Sequence, residues 1–299
     1  MEKNSRKIQL MIIGAQKAGT SSLKNYLGEH PDIYMHEAHE CTFFLDDSLY
    51  NMGFDAARTR FYFEDSRFKS SPIIAGKYVS ILTSEKAIKR LKDHNPEVKI
   101  VIILRNPITR AYSAFWYAKR MGVEYEEQFE KALKLPLSRF NNDEKSIRHC
   151  DYIGNGLYDV HLKKVFSHFP KEQIKIFLTE DLKTDPGDVC KKIFRFCKVD
   201  ESFTPTLETR HNVAAVPKSV SFTRLLFSKN PLKQSIRKII GSKTAYSIKE
   251  RLLKFNEKSF VPPPLAPETY NDLVKIFEEH NKALGELIHR DLSSWNKLK

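Results

Sequence analysis

Between Ile8 and Leu23 an apolar run, a turn of small residues carrying one lysine, and a hydroxyl-rich helix start follow one another without a break. Ile8 to Ile13 has the length and composition of a buried strand. Gly14-Ala15-Gln16-Lys17-Ala18-Gly19 turns the chain, and Thr20-Ser21-Ser22 opens a helical pattern carried by Leu23, Tyr26 and Leu27. A strand running through a glycine loop into a helix needs a sheet to lie in and neighbours to cover both faces. Its loop amides and the positive end of its helix favour an anion. A nucleotide-type ligand is the first expectation.

The rest of the chain supplies that sheet. Ile73 to Tyr78, Lys99 to Leu104 and Ile174 to Leu178 are further short runs rich in Ile, Val or Phe. Helical patterns lie between them, over Thr83 to His94, Pro107 to Arg120 and Leu157 to Phe169. Asn106 and Pro107 read as an N-cap and first helical residue. Strands alternating with helices predict an α/β fold, a P-loop-like parallel β-sheet flanked by helices. Residues 203–265 differ, being basic, Ser-rich and broken at Pro217, Pro231 and Gly241. After Pro262-Pro263-Pro264 a last amphipathic helix is expected over Pro267 to Ile288, with Leu273, Ile276, Phe277, Leu284 and Leu287 on its apolar side. The expected organisation is one domain over 1–299, an α/β core over 1–202 and a basic, mostly helical C-terminal part over 203–299.

The net charge of +13 is concentrated. Arg210 to Phe260 holds 12 Lys/Arg against 2 Glu. Such a stretch is either a solvated helical surface or a contact for a polyanion or an anionic membrane. No nucleic-acid-binding module is recognisable. The four cysteines, Cys41, Cys150, Cys190 and Cys197, show neither a CxxC pair nor metal-ligand spacing. Buried thiols in a reduced, cytoplasmic setting are expected. The opening apolar run is too short for a signal sequence, and no stretch approaches the roughly 18 apolar residues of a membrane span.

The loop departs from a Walker A pattern, in which lysine directly precedes the hydroxyl residue. Here Lys17 stands two residues before Gly19, and no lysine separates Gly19 from Thr20. A magnesium-dependent kinase also uses an acidic residue at a neighbouring strand end. The strand Lys99 to Leu104 ends instead in Arg105. A cation there suits direct binding of an anion, and Arg105 with Ser113 on the following helix can grip one phosphate. That helix is expected to bury Ile108, Ala111, Tyr112, Phe115 and Trp116, with Arg110, Ser113 and Tyr117 on another face.

In these two segments, Gly14 to Leu23 and Leu104 to Ser113, the chain resembles the sulfotransferases that use 3′-phosphoadenosine-5′-phosphosulfate (PAPS). The first is similar to the family's 5′-phosphosulfate loop and the second to its 3′-phosphate motif. The likeness continues through His30 to Ile33, His39 to Phe44, Gly156-Leu157-Tyr158, Phe169 to Ile174, Glu180-Asp181-Leu182 and Asp291 to Trp295. The Glu-x-x-Phe-Phe pattern at Glu40 to Phe44 resembles the carbohydrate branch, heparan sulfate sulfotransferases and their bacterial relatives. The small-molecule branch typically has a histidine after a Lys-Thr pair instead.

The resemblance implies transfer of a sulfuryl group from PAPS to a hydroxyl or amine of a carbohydrate or glycosylated acceptor. It implies Glu40 as general base and Lys17 as the cation at the leaving phosphate. Lys77 falls near the acceptor, and Gln16, Lys17, Ala18, Gly19, Thr20, Ser21, Ser22, Arg105 and Ser113 fall at the nucleotide. Lys218, within Asn212 to Ser219, is a further nucleotide contact. Adenosine 3′,5′-bisphosphate would be the product, and no metal is required. Gly76 and Val79 depart from the Glu and Pro usual around Lys77, and His39 stands where lysine is frequent. Phe54, Phe61, Tyr62, Phe63, Tyr125, Phe140 and Tyr152, in loops that could shape an acceptor pocket, either stack on a sugar or fill the core. Three other readings stay open: sulfation of a small-molecule or lipid alcohol, an ATP–magnesium kinase, and a non-enzymatic module binding polyanions or membranes through 210–260.

Overall fold

The computed structural model describes residues 6–207, 215–227 and 241–298. The chain forms two compact units, Met1–Arg105 with Val160–Arg210, and Asn106–Asp159 with His211–Lys299.

The first unit is built on the expected parallel sheet. Its strands are β1 (Leu10–Gly14), β2 (Ile33–Met35), β3 (Ile73–Lys77), β4 (Lys99–Leu104) and β5 (Ile174–Leu178), in the order β2-β3-β1-β4-β5. Every pairing is parallel. All five residues of β1 are buried, as are those of β4 after Lys99. This burial on both faces explains why these strands read as continuous apolar runs. β1 is central, with Leu10 opposite Ala75 on one side and Lys99 on the other. From β1 the chain goes to the edge strand β2, returns through β3 and then crosses to β4 and β5 on the other side, so the end of β1 is the switch point where open α/β sheets bind ligands. The helices named in this unit are α1 (Thr20–Gly28), α2 (Glu85–His94) and, beyond the helix α4 (Tyr158–His168) that straddles the unit boundary in sequence, α5 (Pro186–Cys197). Ser84 caps α2 by accepting from the Ala87 amide.

The second unit opens with α3 (Pro107–Arg120), the helix predicted from Asn106-Pro107. The Asn106 side chain accepts from the Ile108 and Thr109 amides at 2.9 and 3.3 Å. Its amide donates to the Trp295 carbonyl at 2.9 Å, which gives the C-terminal Ser-Ser-Trp motif a physical task. The core joins Ile108, Phe115, Phe129, Tyr152, Tyr270 and Phe277. Helix α4 (Tyr158–His168) links the two units in sequence. α6 (Val220–Phe227), α7 (Ser242–Phe255) and α8 (Pro267–Ile288) follow, with β6 (Ala215–Pro217) pairing antiparallel to β7 (Glu257–Ser259).

Two expectations are corrected here. Arg110 is not on an outer face of α3; it is fully buried and donates to the Tyr152 carbonyl, because the 150–153 segment covers that side of the helix. Ile276 of α8 is 44% exposed, and the buried stripe runs through Tyr270, Leu273, Phe277, Asn281 and Leu284.

Candidate active site

The loop after β1 is shaped by two left-handed residues, Lys17 (φ 66°) and Gly19 (φ 102°). At Gly19 a Cβ would also come within 3.0 Å of Leu182, and at Gly14 within 2.5 Å of Leu82. Glycine is the residue that satisfies both positions. The loop carbonyls are fastened outward. Arg105 donates to the Lys17 carbonyl at 3.0 Å, and the Thr179 hydroxyl, at the end of β5, to the Ala18 carbonyl at 2.8 Å. Peptide planarity points the N–H that follows each bonded carbonyl the opposite way, and that of Ala18 donates to the Ala15 carbonyl at 3.3 Å. The nine-residue helix α1 begins at Thr20, and its N-cap, Gly19, supplies no side-chain cap. The amides of Thr20, Ser21 and Ser22 therefore meet the conditions for an anion at a helix N-terminus.

Beside this cradle lies a buried charge cluster. The segment after β2 runs along β3, with the His36 amide on the Ala75 carbonyl and the Cys41 amide on the Lys77 carbonyl. That pairing carries Glu40 to Lys77, the last residue of β3. Lys77 Nζ and Glu40 Oε1 are 2.8 Å apart, their side chains 2% and 19% exposed. Lys77 also donates to Ser21 Oγ at 3.4 Å, so one ammonium joins the first turn of α1 to the carboxylate. The second oxygen, Glu40 Oε2, is buried with no hydrogen-bond partner among the described residues.

Burial raises the Glu40 pKa above the ordinary carboxylate value, and Lys77 is the largest opposing influence. Lys24, one turn along α1, donates to the Ala38 carbonyl at 2.6 Å. Burial, followed by repulsion from Lys77, lowers its pKa to about 8. His36 is fully buried and held far below the usual imidazole value by burial and by Lys24 and Lys77, so its ring is neutral.

The first unit thus brings together Gln16 to Ser22, Arg105, Glu40 and Lys77. Ser113 and Lys218 belong to the second unit. Ser113 is half-buried on α3, and Lys218 Nζ donates to the Phe255 carbonyl at 2.8 Å. Of the seven loop aromatics, Phe54, Phe61, Tyr62, Phe140 and Tyr152 are core residues, whereas Tyr125 is 62% exposed. Sequence reasoning missed Lys24 and Thr179. The signal for Lys24 was its spacing, three residues after Ser21 and hence on the same helix face. The signal for Thr179 was a hydroxyl residue directly after an apolar strand.

A parallel sheet with a glycine-shaped anion loop at its switch point and a buried carboxylate–lysine pair beside it defines a group-transfer fold. A family model for the sulfotransferase domain matches residues 7–225, and the chain belongs to that family. It is 25% identical over 290 residues to bifunctional heparan sulfate N-deacetylase/N-sulfotransferase 1 of Xenopus laevis, covering 94% of this chain and 30% of that protein. It is 26% identical over 307 residues to the form 4 enzyme of Mus musculus, covering 96% of this chain and 31% of that protein. The chain therefore spans less than a third of the length of these curated relatives. The relationship to the carbohydrate branch expected from Glu40 to Phe44 is borne out. Among solved structures, a sulfotransferase from Alicyclobacillus acidocaldarius superposes with a TM-score of 0.64 at 24% identity, covering 98% of this chain and 100% of that one. The mouse sulfotransferase SULT7A1, complexed with PAP, gives 0.50 at 17% identity, covering 93% and 86%. Both show the same fold.

Proposed function

We propose that the chain transfers the sulfuryl group of PAPS to a hydroxyl or amine of a carbohydrate or glycosylated acceptor. The observation that carries this reading is the Ser21–Lys77–Glu40 chain, which sets a buried carboxylate beside an anion cradle. Glu40 is the general base. Lys77 holds Oε1, and the unbonded Oε2 takes the acceptor proton as the acceptor oxygen or nitrogen attacks sulfur. The bond from sulfur to the phosphate oxygen breaks, and its electron pair stays on that oxygen. Lys17 and the first-turn amides of α1 stabilise the charge that develops there. Gln16 to Ser22 hold the 5′ end of the nucleotide. Arg105 and Ser113 hold the 3′-phosphate that separates PAPS from ATP, and Lys218 is a further nucleotide contact. The mammalian relative solved with PAP supports the donor class, and the heparan sulfate relatives support the acceptor class.

Titration calorimetry with adenosine 3′,5′-bisphosphate, run beside ATP with magnesium, tests the donor. Bisphosphate is expected to bind, and Arg105→Ala to weaken it by about tenfold or more through loss of a charge-assisted contact. Binding of ATP–magnesium in place of bisphosphate would return the chain to the kinase reading.

A further inference from the structure

The second unit carries a surface that sulfuryl transfer does not use. Along α7, Ile248, Leu252 and Phe255 fall at i, i+4 and i+7, one face of a helix. They are 44%, 37% and 78% exposed. Leu225 on α6 is 57% exposed and Val261, just past β7, 86%. An amphipathic helix normally turns such a stripe inward.

Here the inward contact is polar. Asn256, at the end of α7, is buried and clasps α6. Its amide donates to the Ser219 carbonyl at 2.9 Å and to Thr223 Oγ1 at 2.8 Å, and its carbonyl oxygen accepts from the Ser219 amide at 3.0 Å. Phe260 packs on Trp116 of α3 with ring centroids 4.6 Å apart, leaving its neighbour Val261 outside. Hydrogen bonds thus join the helix pair while Leu225, Ile248, Leu252 and Phe255 face water.

The charges say what covers them. α7 carries Lys243, Lys249, Arg251 and Lys254 against Glu250 alone. At 100° per residue Lys249 and Arg251 fall on either side of the apolar stripe. A second copy of the chain would set these cations against themselves. A soluble polyanion would satisfy the cations and leave Phe255 and Val261 in water. An anionic bilayer satisfies both, with apolar side chains in the acyl boundary and lysine and arginine at the headgroups.

We propose that the outward face of α7, with Leu225 and Val261, is a peripheral docking surface for an anionic phospholipid membrane. Co-sedimentation of the full chain with phosphatidylcholine vesicles, with and without phosphatidylserine, tests it. Binding is expected only with phosphatidylserine and is expected to weaken in high salt. The double variant Ile248→Ser, Phe255→Ser and the charge variant Arg251→Glu, Lys254→Glu should each lower it about tenfold or more. Bisphosphate binding by the same variants serves as the folding control, and the vesicle readout needs no turnover. Absence of vesicle binding would overturn the proposal. So would vesicle binding that the serine variant leaves unchanged, which marks a charge-only polyanion surface. A dimer lost in the serine variant, with no vesicle binding, would assign the face to self-association.

Discussion

The charge cluster after β2 and β3 and the outer face of α7 break the same rule in opposite directions. In the first, ionisable side chains are buried: Lys77 is 2% exposed and Glu40 19%. In the second, large apolar side chains are exposed. Buried charge and exposed apolar surface both raise the free energy of a fold, so each marks a place shaped by something besides folding. The difference lies in how the cost is met. The buried charges are met inside the protein, by the Lys77–Glu40 pair and the Lys24 bond to Ala38. The apolar face stays exposed, and its proposed complement is external.

The strongest way to break this contrast is to empty the carboxylate. Glu40→Gln keeps the shape and removes the proposed base, so turnover should fall about 10²–10⁴-fold while bisphosphate affinity stays within about twofold. Sulfate-transfer rates and calorimetry on one preparation check it, and retained activity would end the base assignment.

Lys24 offers a pH test. As the proposed base Glu40 must lose its proton, so activity should rise with pH through its elevated pKa. The positive charge of Lys24 opposes that elevation. Lys24→Met should therefore move the acid limb of the kcat/KM profile to higher pH, and Lys24→Arg should leave it in place, because arginine stays protonated. An acid limb unmoved in Lys24→Met would separate Lys24 from the reaction.

The smallest effects concern stability. Asn256→Ala strands buried partners and should cost about 1–3 kcal/mol of α6–α7 stability, read by hydrogen exchange. Phe255→Ser should change denaturant stability by less than about 0.5 kcal/mol, since its ring is already in water. A large loss at Phe255 would mean that its face is packed in solution, and the contrast would fail.

How much of this was legible in the sequence follows from the range of the interactions. β4, β5, α3 and α8 were readable because their signals are local: apolar runs, an Asn-Pro start, a proline before a periodic helix. The anion loop was equally local. β2 escaped because three residues, Ile33–Met35, carry too little pattern. The pairing of β6 with β7 joins short strands some forty residues apart, which no local signal announces. Lys77 was visible as a lysine near the acceptor, but its contact with Glu40 depends on the parallel pairing of β2 with β3. Arg110 was misplaced because helix periodicity assigns polar residues to solvent and cannot see that Tyr152 lies over them. The exposed stripe of α7 was hidden for the converse reason, since periodicity reports a stripe without saying which way it faces.

Arg105 follows β4, yet its guanidinium holds the carbonyl of Lys17 in the loop after β1. The two grips assigned to opposite ends of the nucleotide are therefore bolted together before any ligand arrives. In the proposed reaction they would work as a caliper of set width, sensing a donor's length as well as its charge.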